Sequence, residues 1–279
     1  MDRECRLIIN ADDVGWRAGR DRGIFRSIEQ GVVTSVSLMT NGATFADAVV
    51  QLRRSGVGTG VHLNLSEGYS LTGVVAGLTD DSGCFLGKQR SRAVFAANAY
   101  DHAAAYVEMC AQVQRAGDGG IAIDHIDSHQ HMFLFPVLTG MMIELCRQFS
   151  IAAVRLPLPA ECALADPPAP LGIELDLYRR RGMIFRRRVR DARLFVPRGL
   201  WGMPYLDRMN ERVLRHLLLQ MPPGLWELMV HPGDEDSGVP FCGVERCREQ
   251  QALIAASVRA ALEQSNIVLT TFGDAVCAL

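Results

Sequence analysis

The chain has 279 residues, 48% hydrophobic and 22% charged, with a formal net charge of −2. That length supports a large core and suits a single α/β barrel, while the charge excludes an overall electrostatic footprint for nucleic acid or an anionic membrane. No apolar stretch approaches the roughly 18 residues needed to cross a bilayer, so stable membrane insertion is not expected. The N-terminal M-D-R-E-C-R lacks the apolar core of a signal peptide. Eight cysteines are scattered without a C-x-x-C pair. They suit reduced, mostly buried thiols in a cytoplasmic protein.

Residues Arg6 to Ala11 read R-L-I-I-N-A, an apolar run that predicts a buried strand. It ends in Asp12-Asp13, before the turn Val14-Gly15. Adjacent carboxylates resist joint ionisation, and a divalent cation is a common remedy. The plainer reading is that Asp13 caps a helix starting near Trp16. Gly19 to Gln30 has helical spacing at Ile24, Phe25 and Ile28, with Gly31 as its stop. Val32 to Met39 is β-branched and predicts a second strand. Thr44 to Arg54 is helical again. Thr59 to Leu65 alternates: Val61, Leu63 and Leu65 face one way, His62 and Asn64 the other.

Ser66 to Gln89 is glycine-rich and predicts a long loop, with D-D-S-G-C-F-L as a small hairpin or turn. Arg92 to Arg115 predicts one helix. Ile121 to about Ile126 is strand-like and then turns polar through Asp127-Ser128-His129-Gln130-His131. His125 falls one step off the polar-facing side. Phe135 to Phe149 is helical, with Pro136 in its first turn. Ala152 to Leu158 is a short strand closed by prolines, and Ala160 to Pro170 a loop. Tyr178 to Arg193 contains R-R-R-G-M-I-F-R-R-R-V-R. It reads as a solvated helical face, with a patch for an anionic substrate or partner as the alternative. Leu194 to Trp201 re-enters the barrel. Glu211 to Gln220 is a helix, Leu225 to Val230 a strand ending in His231-Pro232-Gly233, Glu245 to Gln264 a long helix, Ile267 to Thr270 a last strand, and Phe272 to Leu279 a closing turn.

Six or seven parallel strands alternating with helices predict one distorted or incomplete (β/α) barrel over residues 1–279, rather than two domains. In such a barrel the strand C-termini open on one face. Asp12-Asp13, His62, the Asp127–His129 group and His231 would therefore converge. One carboxylate and two imidazoles form a reasonable ligand set for a catalytic divalent metal. Taken singly, each has a duller explanation: His62 as a satisfied rim residue, His129 and His131 as caps, His231 as a turn residue. His102 and His216 lie in helical stretches and read as surface or packing residues.

The segments I-I-N-A-D-D-V-G, G-V-V-T-S-V-S-L-M-T-N, G-V-H-L-N-L, H-I-D-S-H-Q-H and V-H-P-G together resemble the YdjC-type carbohydrate deacetylases. That family includes chitooligosaccharide deacetylases and deacetylase-like proteins of hopanoid biosynthesis. The resemblance implies a polysaccharide-deacetylase-like barrel and one divalent metal, zinc or magnesium, held by Asp13, His62 and His129. Asp12 would be the general base and His231 the general acid, with exchange of the Asp12 and Asp13 roles left open. The implied reaction removes an N-acetyl group from an amino sugar or its glycoconjugate. Two alternatives stand beside it: an amidohydrolase using His129 and His131 on the metal, and a non-catalytic sugar-binding barrel. The sequence departs from the family at Met132, Phe133 and Phe135, and over Ala160 to Pro204, where an insertion would choose the substrate. A homodimer is common for such folds.

Overall fold

The computed structural model describes residues 4–160, 169–236 and 238–278. The chain opens with β1 (Cys5–Val14), α1 (Ala18–Glu29), β2 (Ser35–Leu38), α2 (Phe45–Ser55) and β3 (Gly58–Leu63). A long loop leads to α3 (Lys88–Ala97), α4 (His102–Asp118), β4 (Ile123–Ser128), α5 (Pro136–Gln148) and β5 (Ala153–Val154). Most of the loop expected at Ala160 to Pro170 lies outside the described residues. Next come α6 (Ala169–Asp191), β6 (Leu200–Trp201), α7 (Glu211–Gln220) and β7 (Gly224–Val230). The chain closes with α8 (Val244–Ile254), α9 (Ala256–Gln264), β8 (Ile267–Leu269) and α10 (Phe272–Cys277).

All strand pairings are parallel, in the row β5-β4-β3-β2-β1-β7-β6. β1 is the central element. One edge pairs with β7 from Cys5 to Ala11. The other is shared: β8 pairs with Cys5 to Leu7, and β2 with Asn10 to Val14. Isolated bridges Ala153–Phe195 and Pro159–Leu200 connect the two ends of the row. The sheet is therefore curled into the distorted barrel that the strand pattern predicts. Among the described residues, no helix is long and apolar enough to cross a membrane.

Strand alternation sorts the side chains into two populations. On β1, Leu7, Ile9 and Ala11 pack outward into the main core, while Ile8 belongs to a small inner cluster with Ala153 and Phe272. Asn10 and Asp12 follow Ile8 at the same two-residue period. Asn10 donates to Ser37 Oγ at 2.8 Å, and Ser37 lies 3.4 Å from His125 Nε2. His125 thus shares the inner face with Asp127, contrary to its expected placement. Phe272, at the start of α10, stacks on the His125 ring at 4.0 Å and plugs the barrel floor. Gly60 makes room for that ring, since a Cβ there would lie 2.4 Å from it.

Two helices are interrupted where the sequence periodicity runs on. Asn98 takes a left-handed conformation (φ 55°), and Asp101 then caps α4 by accepting from Ala104 N. The predicted long C-terminal helix breaks at Ala255, which is extended at φ −67° and ψ 135°. The Asp80–Phe85 stretch forms the expected turn, with Asp80 accepting from Ser82 N and Cys84 N.

α1 holds both acidic and imidazole strand ends in place. Asp21 accepts from Gly15 N at 2.7 Å, tightening the turn after β1. Gly23 meets the backbone of Gly233, where an added Cβ would lie 2.4 Å from its Cα. Gly23→Ala should force α1 away from the His231-Pro232-Gly233 turn and cost roughly 1–3 kcal/mol, read as a lowered melting temperature. Unchanged stability would show that the approach is not tight. Burial raises the Asp21 carboxyl to about 6, against the opposing effects of the nearby Thr44 hydroxyl and the hydrogen bond from Gly15 N–H. The fold thus favours the protonated form. Its contribution is fully present below the unfolded carboxylate pKa and is lost as pH rises from about 4 to about 6. Relative to Asp21→Asn, the wild type should lose on the order of 3 kcal/mol across that window in urea denaturation. Parallel pH profiles for the two proteins would refute it.

Candidate metal centre and catalytic cleft

Asp12, Asp13, His62, His129 and His231 all line one cleft of about 370 Å³. Glu67, His131, Tyr178 and Phe241 complete parts of its wall. On a regular strand Asp12 and Asp13 would point to opposite faces. Here the β1–β2 register shifts between Ala11 and Val14, and Asp13 adopts φ 72°. This bulge turns both carboxylates into the same space.

Asp13 Oδ1 lies 3.1 Å from His129 Nδ1 and 3.5 Å from His62 Nε2. One ligand atom from each of the three residues falls within 4.8 Å of the others. Asp13 Oδ1 is buried and accepts no hydrogen bond among the described residues. The second nitrogen of each imidazole is already engaged. His62 Nδ1 is 2.8 Å from Asp127 Oδ1, and His129 Nε2 is 3.3 Å from Glu67 Oε2. A proton held toward those carboxylates leaves His62 Nε2 and His129 Nδ1 as lone-pair donors toward Asp13. Burial opposes charge on both rings, but the carboxylates outweigh it: His62 is raised, by Asp127 first, and His129 is pushed up to about 10 by Asp13 and Glu67. A divalent cation competes for the same lone pairs as those protons, so the donor set fits one.

A second acidic group, Asp12–His62–Asp127, has similar spacing. Both of its carboxylates are already paired with Arg155. The guanidinium takes Asp12 bidentately at 2.6 Å on each oxygen, Asp127 at 2.5 Å and Glu227 at 2.7 Å. Burial works against all of these charges. Arg155 nevertheless holds Asp12 below the usual carboxylate range, and Asp127 likewise with help from His62. Glu227 goes the other way. Burial raises it to about 7, with Asp12 and Asp127 adding to that and Arg155 opposing it.

His231 reaches the cleft from the end of β7, with Nε2 3.7 Å from Asp12 Oδ2. Its backbone is pinned on both sides: Arg20 donates to its carbonyl at 2.7 Å, and its N–H donates to Glu249 at 2.9 Å. Burial pushes its imidazole down to about 3, with Arg246 and Arg20 lowering it further and Asp12 and Asp13 opposing them. The ring is therefore neutral near pH 7. His131 lines the cleft but belongs to neither ligand group. Gln130 and His131 are both left-handed at φ 55°, and the His131 ring packs edge-on against Tyr178 at 5.2 Å.

The strand ends thus bring together every residue singled out from the sequence. Arg155, Glu227, Asn10 and Glu67 were not singled out. The first three carried a signal, because charged or amide residues inside apolar runs such as V-R-L-P and L-W-E-L-M are seldom buried unless paired. Glu67 sits in the long loop and carried none.

The match to known proteins extends over the same framework. A model of the family described as YdjC-like protein matches residues 6–264. The carbohydrate deacetylase of Mus musculus is 30% identical over 292 aligned residues, covering 96% of this chain and 94% of its own. That of Homo sapiens is 31% identical, covering 96% and 90%. Among solved structures, an Enterococcus faecalis V583 protein proposed to cleave cellobiose phosphate shares the fold at a TM-score of 0.78 and 23% identity, covering 98% of this chain and 99% of its own. These matches run through β1, the cleft and the surrounding helices, and the chain belongs to the YdjC-like protein family.

Proposed function

We propose that the protein is a carbohydrate deacetylase that hydrolyses the N-acetyl group of an amino sugar or its glycoconjugate. The observation that carries this reading is the buried Asp13 oxygen facing two imidazole nitrogens, with Asp12 and His231 beside it. The names of the mouse and human relatives support the substrate class. Asp13, His62 and His129 would hold one divalent cation, zinc or magnesium. Such a cation supplies Lewis acidity toward an amide carbonyl and toward water.

The chain's own groups then handle protons. Asp12 is fixed by Arg155 and by Asn10, which donates to its Oδ1 at 2.8 Å. Three donors orient the carboxylate and weaken its basicity, so its strength as a base lies in its placement. Its Oδ2 faces the cleft and accepts a proton from the attacking water. The neutral Nε2 of His231, 3.7 Å away, receives that proton and passes it to the leaving nitrogen. The seven cysteines among the described residues are all free, which supports a reducing, cytoplasmic compartment.

Asp12→Asn should keep its metal content while acetate release falls by at least about 10²-fold. Full turnover in that variant would remove Asp12 from the chemistry. Asp13→Ala should abolish both the metal content and the rise in melting temperature that zinc or magnesium produces in the wild type. If Asp12→Ala rather than Asp13→Ala had that effect, the two carboxylates would have exchanged roles.

A further inference from the structure

The arginine-rich helix α6 has two distinct faces. Leu175, Tyr178, Phe185 and Val189 are buried at helical spacing, and Leu171, Glu174 and Tyr178 line the cleft. On the opposite side Ile173, Met183 and Ile184 are 72%, 57% and 60% exposed. Arg179, Arg180, Arg187 and Arg190 are exposed around them. The helix sequence holds seven arginines against Glu174, Asp176 and Asp191, a local charge of 7 − 3 = +4 on a chain whose net charge is −2. Arg179 pairs with Asp176 at 3.0 Å and Arg187 with Asp191 at 4.0 Å, and both pairs are open to solvent. Such pairs bind weakly and leave the arginines available.

Single exposed apolar residues need no explanation, but large ones along one cationic stripe do. We infer that the outer face of α6 docks on an anionic phospholipid surface. Ile173, Met183 and Ile184 would enter the boundary between headgroups and acyl chains, while the guanidinium groups meet lipid phosphates. A two-fold pairing of this face with a second copy would set arginines against arginines. Nucleic acid is disfavoured because the helix's two aromatic residues, Tyr178 and Phe185, are both buried, leaving none to stack on bases. Since the inner face of the same helix walls the cleft, docking places that wall beside the lipid surface.

The test is co-sedimentation of the full chain with phosphatidylcholine vesicles, with and without phosphatidylglycerol. Binding should require phosphatidylglycerol and weaken as salt rises. The double variant Arg180→Glu, Arg187→Glu should bind at least about tenfold less, and Ile184→Ser severalfold less. Neither set touches the cleft, so acetate release from a soluble acetylated chitooligosaccharide should not change. Loss of that soluble activity in the wild type would count against the deacetylase reading alone. The docking inference fails if vesicles are not bound, if neutral and anionic vesicles bind equally, or if the variants bind like the wild type. It also fails if light scattering shows a dimer that Ile184→Ser dissolves, which would make a second copy the occupant.

Discussion

The fold depends on one buried guanidinium. Asp12, Asp127 and Glu227 point into the barrel from three different strands, and each alone would be an ion stripped of water at a penalty of several kcal/mol. Arg155 meets all three at 2.5–2.7 Å. Breaking such a cluster from one side typically costs about 3–5 kcal/mol, because the remaining charges stay buried. A lysine could not substitute, since a point charge cannot grip Asp12 bidentately while reaching two other carboxylates. Burial, with Asp12 and Asp127 beside it, raises Glu227 to about 7 against Arg155, so the cluster takes up a proton there as pH falls through that value.

Arg155 also gives the two adjacent aspartates different surroundings. It saturates Asp12, which becomes an oriented carboxylate with one free direction toward His231. Asp13 lies beyond its reach and keeps a buried oxygen with no hydrogen bond among the described residues, facing two imidazoles. Two residues that are neighbours in sequence thus meet different partners, a guanidinium for Asp12 and two imidazoles for Asp13. The backbone bulge at the end of β1 makes this division possible, because it turns both side chains inward and then gives each a different partner.

The same economy governs the rim. α6 contributes cleft residues from one face and an exposed cationic, apolar stripe from the other. The His231 turn is held by α1 through Arg20 and the Gly23–Gly233 approach, and by α8 through Glu249. These three helices therefore pack against the barrel and also supply or position a cleft residue.

The sequence by itself determined the parallel βα architecture, because short apolar runs with polar ends alternate with helical spacing. It also determined which residues reach the open face, since Asp12-Asp13, His62, Asp127–His129 and His231 all sit where strands end and a parallel barrel gathers such ends. Local periodicity could not reveal the helix breaks at Asn98 and Ala255, which depend on single backbone conformations. It placed His125 off the polar face, whereas the strand runs on to Ser128 and keeps His125 and Asp127 in one two-residue period. Only the tertiary structure decided what Asp12 and Asp13 each face. Arg155 lies 143 positions from Asp12 and Glu227 a further 72 from Arg155, so no local pattern connects them. Their meeting is set by strand order and by a register shift, which are properties of the closed sheet and not of any one segment.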